Sequence, residues 1–175
     1  MSLPLFTGRR DDWTPQEYLT QIIEPVLCHI EAFSQGAAQL LLGTALHEGG
    51  GLRYRRQIGG GPGRSFFQIE VATHDDIWDN YLVYNASLAA RVESLIPAGA
   101  NKLNELENND NYAAAMCRVH YLRQPGALPA FNDLEGQARY WKQYYNTPLG
   151  AGTTTKYLDD WNTYVTTDLS FRSSC

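Results

Sequence analysis

The run Leu40-Leu41-Leu42-Gly43-Thr44-Ala45-Leu46-His47-Glu48, closed by Gly49-Gly50-Gly51, constrains this chain more than any other stretch. Leu40, Leu41, Ala45 and Leu46 fall near one face at helical spacing, so the segment predicts a helix with a buried apolar face, and the glycines end it. Other helices are marked around it. Thr14-Pro15-Gln16-Glu17 combines a threonine cap, a first-turn proline and a glutamate three residues after the cap, which predicts a helix to about residue 33, kinked at Pro25. Ser34 caps the helix that carries Glu48, and Asp75 and Asp76 suit the start of another reaching Tyr81 or beyond. Residues 86–95 and 101–107 are helical candidates, Asn108-Asn109-Asp110-Asn111 marks a break, and 112–122 reads as a buried central helix. Asn132-Asp133 can cap a helix over 134–145, and Thr153-Thr154-Thr155 opens a last one to about 166. Extended structure is expected only at 53–57 and 66–69. The expected fold class is mainly α, α+β at most: a helical domain with a small β segment beside a cleft.

A length of 175 residues with 43% hydrophobic content suffices for one domain, residues 1–175, with a sizeable core, and no repeat or linker divides it. The net charge of −5 argues against nucleic acid or an anionic membrane as partner. Arg53, Arg55, Arg56 and Arg64 flank the glycines of a loop; they either form a cationic rim for an acidic polymer or pair with nearby acids. Cys28, Cys117 and Cys175 are odd in number, widely separated and without a CxxC spacing, so reduced thiols are expected rather than a disulfide framework or a zinc site. The first residues lack a positive start followed by a long apolar stretch, and nothing approaches the ~20 apolar residues of a membrane span, so neither a signal peptide nor membrane insertion is expected.

Glu48 is the first candidate for chemistry. A carboxyl held at a helix end against an apolar wall has its pKa raised by burial, which suits a general acid near neutral pH; the alternative is a surface carboxylate at a helix end. Beyond the Arg- and Gly-rich loop, Ser65-Phe66-Phe67-Gln68-Ile69-Glu70 brings a second carboxylate, 22 residues after the first. His47-Glu48 is not a zinc-protease motif, because the second histidine it needs would stand where Gly51 is. His29, His74 and His120 show no ligand spacing with His47, and Gly59 to Ser65 lacks the Gly-Lys-Ser/Thr ending of a phosphate-binding loop. No metal or organic cofactor is therefore expected.

Glu48-Gly49, then Ser65-Phe66-Phe67-Gln68 with Val71-Ala72-Thr73, then Ala113-Ala114-Ala115-Met116-Cys117-Arg118-Val119-His120-Tyr121-Leu122-Arg123-Gln124-Pro125-Gly126, resemble in order and spacing the catalytic core of the lysozyme-like superfamily, in particular the goose-type lysozymes and the bacterial and phage lytic transglycosylases. The likeness runs from about residue 37 to 126. It departs at Gly49, where the family carries serine, and at Ser65, where it carries glycine; Leu122 and Arg123 replace the Asn and Ala of the third block.

The resemblance implies a lysozyme-like domain that cleaves the β-1,4 bond between N-acetylmuramic acid and N-acetylglucosamine, with Glu48 as acid. Glu70 aligns with a second acidic position that positions water in goose-type enzymes, which keeps a hydrolytic route open beside the transglycosylase route that needs Glu48 alone. Gln68, Tyr121, Ser65 and Phe67 are the implied saccharide contacts, with Tyr121 within reach of Glu48. Tyr140, Trp141, Tyr144 and Tyr145 either line a sugar cleft or pack in the core. The implied partner is a peptidoglycan strand, reached without a signal peptide by holin-type release, by lysis or as part of a virion with virion partners. Two other readings stay open: a glycan-binding or virion structural protein without turnover, and a chitinase- or chitosanase-like hydrolase.

Overall fold

In the computed structural model, which describes residues 3–175, the chain is mainly α-helical with one two-stranded sheet. Helix α1 (Pro15–Tyr18) starts with the full reciprocal cap: Thr14 accepts from the Glu17 amide while the Glu17 carboxylate accepts from the Thr14 amide. It widens into a π-helical stretch (Leu19–Ile23) and continues as α2 (Glu24–His29). The kink expected at Pro25 thus takes the form of an over-wide turn before it, which accommodates the missing amide and the ring's clash with the preceding turn. The helix ends at Ile30, short of residue 33, with Glu31 in the left-handed region at φ 55°.

Helix α3 (Gln35–Glu48), capped by Ser34, is buried at every position from Gly36 to Leu46. It is wrapped on all sides rather than packed on one apolar face, with the π-helical stretch, α7, α8 and α9 around it. Its end is a Schellman closure: the Gly51 amide donates to the Leu46 carbonyl at 2.8 Å while Gly50 turns left-handed at φ 58°. Strands β1 (Gly63–Arg64) and β2 (Ile69–Glu70) pair antiparallel in the register Gly63 with Glu70 and Arg64 with Ile69, and Arg56 adds one bridge to Arg64. The extended segment expected over 66–69 is therefore mostly the hairpin's turn, with left-handed Ser65 (φ 65°) and Gln68 (φ 49°) at its two ends.

Helix α4 (Val71–Asn80) begins directly after β2, so Asp75 and Asp76 lie in its middle, not at its start. A 3-10 turn (Leu82–Tyr84) leads to α5 (Ala86–Glu93); α6 (Lys102–Asn108) is capped by Asn101. The break expected over 108–111 is the single residue Asn109, which caps α7 (Asp110–Leu122). Helix α8 (Leu134–Trp141), capped by Asp133, widens into a second π-helical stretch (Lys142–Asn146), and α9 (Thr154–Tyr164) is capped by Thr153. One buried apolar cluster draws on all of these helices, with α3 and α7 as its two most deeply buried members. No helix among the described residues is long and apolar enough to cross a membrane.

The cysteines depart from expectation. Cys28 in α2 is disulfide-bonded to Cys175, their Cα atoms 5.6 Å apart across a sequence separation of 147; Cys117 is free and buried in α7. Spacing along the chain carries no signal for a pair so distant. The last segment is also tied down by hydrogen bonds: Gln16 exchanges two with the Ser170 backbone, and the Arg172 amide donates to Glu24 at 2.8 Å.

Three of the four arginines of the loop are paired, while Arg53 is exposed and has no ion-pair partner among the described residues. Arg55 is buried, donates to both carboxylate oxygens of Asp110 at 2.8 and 2.9 Å and to Asp11 at 2.6 Å, and lies 4.2 Å over the Phe66 ring. Arg56 and Arg64 both face Glu107, at 2.6 and 3.6 Å. These pairs fasten the loop to α6, to α7 and to the segment before α1, so three of its arginines hold a wall beside the hairpin rather than standing free as a cationic rim.

Candidate active site

Glu48 is the last residue of α3, and two cavities meet at it. One, of about 360 Å³, runs past Gln68, Glu70, Thr73, His120 and Tyr145; the other, of about 590 Å³, runs past His47, Tyr54, Gln57, Ile58 and Gly150. Glu48, Gln68, Glu70 and Asn146 line both, so the carboxyl stands at the joint of a cleft that continues on either side.

Burial raises the Glu48 carboxyl to about 7, against a smaller opposing effect of the Trp141 indole N–H, which donates to Oε1 at 2.9 Å. The carbonyls at the end of α3 disfavour a carboxylate there as well. Near neutral pH the group therefore divides between acid and carboxylate, the condition a proton donor and acceptor needs. Trp141 is itself held in place: the His47 ring meets it edge-on at 4.5 Å, the Tyr157 ring lies 5.3 Å away, and His47 Nδ1 bonds to Asp160 at 2.7 Å.

Of the residues expected beside Glu48, Gln68 and Glu70 line the cleft. Gln68 uses its side-chain N–H groups on the carbonyls of Ser65 (2.7 Å) and Tyr54 (3.0 Å), which leaves its amide oxygen as an acceptor. Glu70 is exposed at the end of β2. The other three contacts are corrected. Ser65 is fully buried and its hydroxyl accepts from the Phe67 amide at 3.2 Å; the Phe67 ring is fully buried, 6.2 Å from Tyr18. Neither side chain is available to a saccharide, because the turn that carries them is folded under the end of α3. Tyr121 is buried too, and its hydroxyl bonds to Thr44 at 2.8 Å. Thr44 donates onward to the Leu40 carbonyl, so the Tyr121 proton is engaged on Thr44 and does not reach Glu48.

The hydrogen bond to Glu48 comes instead from Trp141, 93 positions further along the chain. Within the aromatic set, Trp141 is fully buried and Tyr140 nearly so, while the Tyr145 hydroxyl donates to the Phe67 carbonyl at 2.6 Å and ties the second π-helical stretch to the hairpin. His120 and Asn146, which sequence reasoning did not place in the site, line it as well. The aromatic periodicity of 140–145 was the available signal for α8, and nothing in it singled out the indole. No group of three or more His, Cys, Asp or Glu side chains among the described residues is arranged to hold a metal ion.

No protein-family model, curated protein or solved structure matches this chain.

Proposed function

We propose that this chain is a glycosidase that cleaves the β-1,4 bond between N-acetylmuramic acid and N-acetylglucosamine in peptidoglycan, with Glu48 as general acid. One observation carries the reading: a carboxyl with its pKa near 7 stands at the joint of two cavities. A polysaccharide lying through both would present one glycosidic oxygen at the joint, with sugars held on either side. The three short sequence blocks between about residue 37 and 126 supply the substrate class.

In the first step the bond between the muramic C1 and the glycosidic oxygen breaks, and Glu48 gives its proton to that oxygen. Its carboxylate can then take a proton from the nucleophile that attacks C1. If the nucleophile is the muramic C6 hydroxyl, the product is an anhydro sugar and no second carboxyl is needed. If it is water, Glu70, which lines both cavities with Glu48, is the carboxylate available to orient it. The two products differ in mass by one water.

The test is mass spectrometry of the soluble products from purified peptidoglycan, with wild type and Glu48→Gln in parallel. The reading expects muropeptides from wild type alone. Anhydro ends assign the transglycosylase route and reducing ends the hydrolytic one. Equal release by the two proteins removes Glu48 from the chemistry, and no release by either, with binding retained, leaves a glycan-binding protein.

A further inference from the structure

His120, near the end of α7, lines the smaller cavity yet is not needed by the chemistry above. Its Nδ1 lies 2.9 Å from the Arg123 guanidinium, a group that can only donate. Nδ1 must therefore present its lone pair, and the proton of the neutral ring is on Nε2. That nitrogen has no partner among the described residues and is not among the buried atoms left without one, so it opens into the cavity. Behind the histidine, Arg123 is held by Asp76 of α4. The row Asp76, Arg123, His120 thus ends in a single N–H that faces the cavity.

The groups around the ring decide whether it stays neutral. Glu48 and Glu70 share the cavity and would favour a cation; Arg123 faces the ring directly and opposes one, and the Tyr121 and Tyr145 rings pack beside it, 6.2 and 4.9 Å away. Burial and then Arg123 win, pushing His120 down to about 4, with Asp76 a smaller effect in the other direction. Over the range where Glu48 can work, His120 is an uncharged donor with its tautomer fixed.

We infer that His120 is a specificity-determining residue of the proposed glycosidase, whose Nε2–H donates to the carbonyl oxygen of a sugar's N-acetyl group and so selects acetylated over free-amine sugars. A fixed donor discriminates where a hydroxyl partner cannot, because a sugar hydroxyl can reverse its role and an amide oxygen only accepts. An acetamido group also carries one N–H, and the cavity supplies acceptors for it in Glu70 and the Gln68 amide oxygen. A free amine has no carbonyl oxygen to accept from His120, so even where its ammonium pairs with Glu70 that N–H is left unpaired.

This inference rests on the glycosidase reading, and its test separates the two. Turnover of peptidoglycan and of the same material after chemical de-N-acetylation would be measured for wild type, His120→Phe and His120→Gln, beside the 15N shifts of the His120 ring in wild type and Arg123→Met. Wild type should favour the acetylated polymer by about tenfold in kcat/KM, the scale of one hydrogen bond whose loss strands its partner. His120→Phe should lose that preference mainly through KM, and His120→Gln should restore part of it through its amide N–H. The ring should be Nε2-protonated throughout pH 5–8 in wild type and a tautomer mixture in Arg123→Met. Active His120→Phe with its preference intact, or a wild-type ring that is Nδ1-protonated or cationic at pH 6, overturns the inference and leaves the glycosidase standing. Absence of turnover by wild type on both polymers, with the tautomer as stated, overturns the glycosidase reading and the substrate assignment with it.

Discussion

Replacing the candidate acid should stabilise the protein, and only above a certain pH. Burial raises Glu48 from 4.5 to about 7, so the folded state holds the proton more tightly than the unfolded state does. Below about pH 4.5 the group is protonated in both states and costs nothing. Between 4.5 and 7 the unfolded chain ionises first and folding stability falls; above 7 both states are ionised and the penalty is constant. The full shift corresponds to about 3 kcal/mol. Because the carboxyl faces two open cavities and is partly exposed, solvent screening reduces this to about 1–2 kcal/mol. Glu48→Gln keeps the shape and removes the titration, so the variant should match wild type at pH 4.5 and exceed it by about 1–2 kcal/mol at pH 8, or about 3–6 °C in Tm for a chain of this size. Urea unfolding of both proteins at pH 4.5, 6 and 8 measures it, and every other titrating group cancels in the difference. A gap that is the same at pH 4.5 and 8, or one that favours wild type as pH rises, would refute the claim that burial dominates at Glu48.

Trp141→Phe keeps an aromatic ring but removes the N–H that helps the Glu48 carboxylate. The alkaline limb of the pH–rate profile should move up, and turnover should fall about tenfold, the effect of one hydrogen bond to a charged group; a limb that stays in place or moves down contradicts the geometry. Cys175→Ser, or reduction of the native protein, opens a cross-link spanning 147 residues, which should cost about 3–5 kcal/mol by loop entropy and lower Tm by about 10 °C. Thiol titration of the folded, unreduced protein should find no reactive group and one after denaturation, because Cys117 is buried; a reactive thiol in the native protein would mean that the cross-link is absent.

What was legible in the sequence was local. The caps at Thr14, Ser34, Asp133 and Thr153 are short-range hydrogen-bonding patterns, and each starts a helix. Misplaced starts came from the same kind of reasoning where a tertiary feature overrode it. Asp75 and Asp76 favour a helix start, but β2 ends at Glu70 and the chain turns straight into α4 there. Within the cleft, Glu48 could be selected from its place at a helix end and Gln68 from the resemblance of the block that carries it. The partner of Glu48 could not, since Trp141 reaches it from a separate helix and its indole looks like any other core aromatic in a stripe of four. Cys28 and Cys175 fail for the same reason, as do the arginines, whose pairing depended on where α6 and α7 came to lie.

Gly49 and Ser65 bear on how Glu48 and Gln68 are held together. A Cβ on residue 49 would stand 2.8 Å from the Phe66 carbonyl oxygen and 2.7 Å from that of Ala45, so backbone meets backbone where α3 ends over the hairpin turn, and only glycine fits. Ser65 sits at φ 65°, where glycine is unstrained and serine costs of order 1 kcal/mol; its hydroxyl offsets part of this by capping the Phe67 amide, which helps to close the turn. Side-chain volume is thus absent where the two segments touch and present where the turn must hold its shape. With no side chain between them to change rotamer, the end of α3 and the turn carrying Gln68 are fixed against each other by main-chain contact. The backbone of Glu48 is therefore set against the cleft by that contact, and its carboxyl is held by the Trp141 indole N–H.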